Sequence, residues 1–235
     1  MSQYFVRFSP KQRIEHVTVM IVFIVLSVTG LPQKFFEYET SRWVLDALGG
    51  VDRARWWHRA AGLTFAGFAI FHFSGLIWSV LDGSSRLPLV PTRKDFADAI
   101  LQLRYYLGLT EQQARFDRYD YRQKFEYWGL VLGSVVVIAT GIILMWPTIA
   151  TTWLPGQFVP AAKVAHSNEG LLAFLVVVTW HIYNAHFNPD VFPFDTTIFT
   201  GRISRERMHH EHPLELERLD HAADSASTRH GDGAA

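Results

Sequence analysis

Cysteine is absent from the 235 residues. That one absence removes disulfides, thiolate zinc sites, iron–sulfur clusters and covalently attached c-type haem from the chain's own chemistry. Net charge is absent as well: 22 Lys and Arg stand against 22 Asp and Glu. No basic field therefore points to nucleic acid. The sequence also lacks a Gly-rich phosphate loop, zinc-protease spacing and a nucleophile elbow.

What is present is apolar and unevenly spread. Hydrophobic residues make up 49% of the chain, and they gather into long blocks instead of recurring at the spacing of an amphipathic element. Four blocks approach or exceed the roughly 20 residues that a bilayer crossing needs. They cover about 14–31, 56–81, 125–146 and 165–187, and three of them stop at Pro32, Pro147 and Asn188-Pro189. Proline lacks the N–H that a continuing helix uses, so these endings are physically reasonable. The first block follows Arg7, Lys11 and Arg13 but has no small-x-small cleavage site, and it is read as a span and not a leader.

Lys and Arg set the orientation. Sixteen lie in the N-terminal arm, the 82–124 connection and the C-terminal tail, against six on the other side. Both termini are therefore expected in the cytoplasm. Within 82–124, the segment from Thr92 predicts a capped amphipathic helix with Phe96, Ile100, Leu103 and Leu107 on one face, lying on the membrane surface or a partner. The expected fold is all-α: an integral membrane four-helix bundle with one cytoplasmic amphipathic helix. The bundle domain covers 1–214, and the polar tail over 215–235 is expected to be disordered.

Six of the eleven histidines lie inside or at the ends of the apolar blocks. Ionisable side chains in a span are costly and are functional candidates by default. His58 and His72 share the second block, 14 residues apart, and His166 and His181 share the fourth, 15 apart. At 1.5 Å per residue each pair spans roughly 21–23 Å and stays broadly on one face. Two such helices running the same way make a ladder of two bis-histidine rungs, which suits haem b. Gly62 and Gly170 each lie four residues past a histidine and leave room beside it for a flat ring.

His16 and His186 sit at the cytoplasmic ends of the first and fourth spans. In an α-helix, His186 is turned by about 140° from His181, so the two cannot serve one iron.

Five stretches then resemble the di-haem cytochrome b family. This family provides the membrane γ subunit of respiratory formate dehydrogenases, with related subunits in nickel–iron hydrogenases and thiosulfate reductases. They are RIEHVTVMIVFIVLSVTGLP, RWWHRAAGLTF, DYRQKFEYWGLVLGSVVVIATGIILMWP, AHSNEGLLAFLVVVTWHIY and GRISRERMHHEHPLE. The resemblance spans about 7–218. It implies His58 with His166 for an outer haem, His16 with His181 for a cytoplasmic haem, and a menaquinone or ubiquinone site beside the latter. Family members close that site with an Asn-x-Gly-Gln-Lys-like segment. The matching positions here are Asp120, Arg122, Gln123 and Lys124, without the Asn and the Gly.

His72 and His186 depart from the family pattern and remain further candidate ligands. Pairings His72–His181 and His16–His186 would give three haems in place of the two that the resemblance implies. Asp120, Arg122 and Lys124 are the candidate quinone contacts. His209, His210 and His212 form an HHEH cluster read as a docking segment, with metal binding as the alternative. Trp56, Trp57, Trp146 and Trp153 are read as an interfacial belt.

The expected function is electron transfer, in the bacterial inner membrane, between the quinone pool and a partner redox subunit carrying iron–sulfur, molybdenum, nickel–iron or multihaem c centres. No residue set supports oxidation of a primary substrate in this chain. The alternative is a histidine-lined transporter of protons or metal ions, which broken helices or carboxylates beside the histidines would favour.

Overall fold

A computed structural model describes residues 4–83, 87–189 and 191–231. In chain order its elements begin with β1 (Tyr4–Val6), α1 (Pro10–Lys34), α2 (Glu39–Ala47), α3 (Val51–Leu81) and α4 (Arg93–Tyr106). They continue with α5 (Tyr121–Met145), α6 (Pro147–Ala150), α7 (Phe158–Leu175), α8 (Thr197–Thr200), β2 (Arg202–Ser204), α9 (Arg205–Glu211) and α10 (Pro213–Gly231). Among the described residues, four helices are long and apolar enough to cross a membrane: Pro10–Lys34, Val51–Leu81, Tyr121–Met145 and Phe158–Phe187. All four expected spans are found, each longer than its apolar block. The first runs two residues past Pro32, which sits buried in its final turn.

The fourth span is not a uniform α-helix. Beyond α7 it winds in wider π turns over Val176–His181 and Tyr183–Phe187. Thr179 Oγ1 donates to Leu175 O at 2.7 Å and Asn184 Nδ2 to Trp180 O at 2.8 Å. Both side chains bond back to their own helix within this π-wound stretch.

The chain divides into two compact units, 10–85 with 129–195 and 1–9 with 86–128 and 196–235, where one bundle domain was expected. The first unit carries most of the spanning length, and its few buried side chains are mostly small or polar, such as Ala54, Thr29, Ser134 and Ala162. Its large apolar residues point outward (Ile21, Ile24, Ile70, Phe71, Trp78, Leu132), as a lipid-facing surface requires.

The second unit is built around a two-stranded antiparallel ribbon, with Tyr4 opposite Ser204 and Val6 opposite Arg202. Ile203, Met208 and Leu216 form its core, with Phe5 packed against them. The tail expected to be disordered from 215 is instead helical to Gly231. Leu216 and Glu215 are buried, Arg218 Nη1 bonds Asp117 Oδ2 at 2.7 Å, and Arg205 holds Asp220. Those long-range partners supply what local composition does not. Residues 232–235 of the expected tail lie outside the described residues.

The amphipathic helix is α4, as expected. Its capping box joins the Thr92 backbone N–H and hydroxyl to Asp95 Oδ2 at 2.6 and 2.7 Å. Phe96, Ile100, Leu103 and Leu107 are all exposed on it.

Candidate functional site

The spanning helices bring the histidines together in two pairs. The His58 and His166 rings have centroids 6.1 Å apart and lie nearly perpendicular, at 83°. Those of His16 and His181 are 6.2 Å apart at 37°. Two imidazole nitrogens held at about 2 Å on either side of one iron separate the ring centroids by about 6 Å. Both pairs have that separation, and so fit a six-coordinate haem iron.

The polar partners of His58 and His166 agree with this fit. Thr29 Oγ1 donates to Val25 O at 2.6 Å, so its lone pairs are left to accept from His58 Nδ1 at 3.0 Å. Thr140 Oγ1 donates to Val136 O at 2.5 Å and accepts from His166 Nδ1 at 3.2 Å. Val137 O is a second acceptor for the same nitrogen at 3.0 Å. A proton on Nδ1 places the ring's free lone pair on Nε2. This is the state of a metal-ligating imidazole whose other nitrogen is anchored in the protein. His16 differs, because its Nδ1 is buried without a hydrogen-bond partner.

Glycines shape the space around both histidines. A Cβ on Gly62 or Gly170 would meet nothing within 4 Å. Sequence reasoning missed two others. A Cβ on Gly30 would lie 2.8 Å from His58 Cε1, and one on Gly141 would lie 3.1 Å from His166 Cε1. Only glycine lets the imidazoles come so close. The available signal was the Thr-Gly dipeptide that both helices carry.

The remaining candidates are placed differently. His72 has its Nδ1 3.5 Å from Glu15 Oε2, and Phe68 and Phe73 flank its ring. His186 stacks flat on Phe194, with centroids 4.1 Å apart. The π turns alter the expected 140° separation, because residues five apart return toward one face. His186 accordingly sits within electrostatic reach of His16 and His181, with Nδ1 buried and unpartnered.

The candidate quinone contacts are engaged within the protein. Asp120 Oδ2 accepts from Arg122 Nε and Nη2 at 2.9 and 2.7 Å. Lys124 Nζ donates to both Asp95 oxygens at 2.8 Å. Burial pushes the Asp95 carboxyl up, but the bonds from Lys124 and Thr92 outweigh it and hold the group below the usual carboxylate range.

The HHEH residues do not converge, and no metal-binding group of three appears among the described residues. His209 and His210 lie exposed with rings 5.7 Å apart. His212 is buried, donates from Nδ1 to Asp117 O at 2.8 Å, and accepts from Arg7 Nη2 at 3.1 Å. The same network holds the Arg7–Glu215 ion pair at 2.7 Å and bonds from Arg118 to Glu215 Oε1 and Arg7 O. Trp56, Trp57, Trp146 and Trp153 are all exposed, as a belt at a membrane boundary needs to be.

Four apolar spans enclosing two facing histidine pairs define a membrane protein of the cytochrome b class. The chain matches the family described as prokaryotic cytochrome b561 over residues 7–192 and belongs to it. It is 26% identical over 184 residues to the cytochrome b556(fdo) subunit of formate dehydrogenase from Escherichia coli (strain K12), covering 77% of this chain and 78% of that one. It is 22% identical over 216 residues to the cytochrome b556(Fdn) subunit of the nitrate-inducible formate dehydrogenase of the same strain, covering 92% of each. A formate dehydrogenase cytochrome b556 subunit of Haemophilus influenzae is 26% identical over 180 residues, covering 77% of this chain and 70% of its own length. The chain is thus a multi-pass membrane cytochrome b of respiration, and membership of that family implies haem b.

Proposed function

We propose that this chain holds two haems b, one between His58 and His166 and one between His16 and His181. In this reading it carries electrons across the bacterial inner membrane between a partner redox subunit and the quinone pool. The observation that carries the reading is the pair of imidazole separations, 6.1 and 6.2 Å, on spanning helices. With both termini cytoplasmic, as the Lys and Arg distribution favours, His58–His166 is the outer pair and His16–His181 the cytoplasmic one. The relatives are formate dehydrogenase subunits. This supports a partner that performs the primary oxidation.

When bound, haem supplies reversible one-electron chemistry. The chain's own residues do the rest. Thr29 and Thr140 hold the Nδ1 protons of His58 and His166, which keeps each Nε2 lone pair available. Gly62 and Gly170 keep space open beside the outer pair. Apolar helix walls exclude water from the histidines. A menaquinone or ubiquinone headgroup is proposed beside the His16–His181 pair. There the buried, unpartnered Nδ1 of His186 and Nε of Arg13 offer polar contacts. Asp120 and Arg122 are bonded to each other and Lys124 to Asp95.

The test is a pyridine haemochrome assay on the detergent-purified chain, with haem counted per protein. About two haems b per chain are expected, and about one in His58→Ala or His166→Ala, by the bis-histidine assignment. Three per chain would bring His72 and His186 in as ligands and redraw the pairing. A folded chain without haem would sink the reading.

A further inference from the structure

Short motifs recur between the two halves of the bundle, which the ligand positions alone do not reveal. Gln12-Arg13-Ile14-Glu15-His16 at the start of α1 is echoed by Gln123-Lys124-Phe125-Glu126-Tyr127 at the start of α5, at a constant offset of 111 residues. The same offset carries Val28-Thr29-Gly30 onto Ala139-Thr140-Gly141. The following spans repeat as well. His58 precedes Gly62-Leu63 in α3, and His166 precedes Gly170-Leu171 in α7.

The structure uses the repeat twice in the same way. In each half, the threonine of the first helix reaches Nδ1 of the histidine on the second, at 3.0 and 3.2 Å. The carbonyl three residues before each threonine is a second acceptor: Leu26 O for His58 and Val137 O for His166. Each glycine next to the threonine removes the Cβ that would collide with that same imidazole. Both threonine hydroxyls spend their proton on their own helix, on Val25 O and Val136 O. They are thereby fixed as acceptors.

We propose that Thr29 and Thr140 are a matched pair of positioning residues that fix the tautomer and orientation of His58 and His166 and lower the reduction potential of the outer haem. The inference rests on the haem assignment made above. An acceptor on Nδ1–H draws that proton away and makes Nε2 a stronger donor. A stronger donor favours ferric over ferrous iron. Two matched acceptors act on one iron from opposite sides, so their effects add. The cytoplasmic pair has no such matched support, since His16 Nδ1 has no partner. The device therefore separates the two haems in potential, with the outer one lower, and favours electron movement from the outer pair toward the cytoplasmic pair.

The test uses the full chain in detergent with its haem as purified. Thr29→Val and Thr140→Val remove each hydroxyl at nearly constant shape. Thr29→Ala and Thr140→Ala remove it without bulk, and the two Ser variants keep it. Haem content per chain is counted first, followed by an optical redox titration and low-temperature electron paramagnetic resonance. The Val and Ala variants should keep both haems. Their outer-haem signal should shift, with a several-fold higher reduced-to-oxidised ratio at fixed ambient potential. The double variant should shift further, and the Ser variants should match the parent. Unchanged titrations and spectra in both Val and Ala variants would overturn the proposal. So would a shift confined to the haem lost in His16→Ala. A parent chain without haem would instead defeat the haem assignment itself, before any threonine is tested.

Discussion

At the residue scale, a cofactor site differs from a merely packed histidine in the space around it. His58 and His166 have their Nδ1 atoms occupied, while the glycines four residues along, Gly62 and Gly170, face open volume. Small residues in membrane helices also serve close packing, and the two roles predict different behaviour. A glycine that packs a helix against a neighbour has that neighbour within van der Waals reach, and neither of these does. Gly62→Leu should therefore fold, with helical circular dichroism like the parent's, yet hold about one haem b fewer per chain, by the two-site reading. Full haem content in a folded Gly62→Leu chain would return that glycine to a packing role. Gly30 sits at the opposite extreme. Any Cβ there must displace the His58 ring, and overpacking of that kind costs about 1–3 kcal/mol. Within α1 alone only the Thr29-Gly30 dipeptide, repeated as Thr140-Gly141 in α5, marks Gly30, because the atom it makes room for lies on another helix.

At the element scale, helices were the most legible feature. Unbroken apolar length fixes a span, and Thr92 with Asp95 three residues on marks the start of α4. The sequence could not show that Asp95 also closes a buried ion pair with Lys124, 29 residues away. Nor could it show the π turns over Val176–His181 and Tyr183–Phe187, within which Thr179 and Asn184 bond back to their own helix. Reading the fourth span as uniform α-helix missed the wider turns, in which residues five apart lie nearer one face. The Asp95–Lys124 pair gives a direct energetic test. Lys124 is 8% exposed, so removing its carboxylate partner leaves a cation in a poorly solvated place. Breaking a buried pair in this way costs about 3–5 kcal/mol, whereas losing a surface pair costs about 0–1 kcal/mol. Asp95→Asn should lower the thermal midpoint of the purified chain accordingly. Arg115, paired with Glu217 where both side chains are more than half exposed, should tolerate Arg115→Gln almost without effect. Equal midpoints for the two variants would show that the buried pair contributes no more than a surface one.

At the scale of the whole molecule, the second unit is where sequence reasoning fell short. Its segments come from the beginning, middle and end of the chain, and a polar tail rich in Ala, Ser and Asp carries no local sign that distant partners will bury its first turn. Arg7 is 3% exposed and Glu215 4%, and both meet His212 or its neighbours although they lie more than 200 residues apart. That network makes a pH prediction. Burial, and then the charge of Arg7, push the His212 imidazole down to about 4, against partial opposition from the bond to Asp117 O and the carboxylates of Glu215 and Asp120. The folded protein thus keeps His212 neutral, while the unfolded chain takes up a proton near 6.5. Because the folded value is the lower one, the stabilisation is fully present above about pH 6.5 and is lost as pH falls toward about 4, amounting to roughly 3 kcal/mol. Asn keeps the Nδ1-side donor toward Asp117 O without a titrating proton, and gives up the contact that Nε2 makes with Arg7. Amide hydrogen exchange across 202–216, corrected for intrinsic rates, should therefore show protection falling between pH 7 and pH 5 in the parent chain and much less in His212→Asn. If both chains lose protection equally, the acid sensitivity of this unit lies in its carboxylates and not in the buried imidazole.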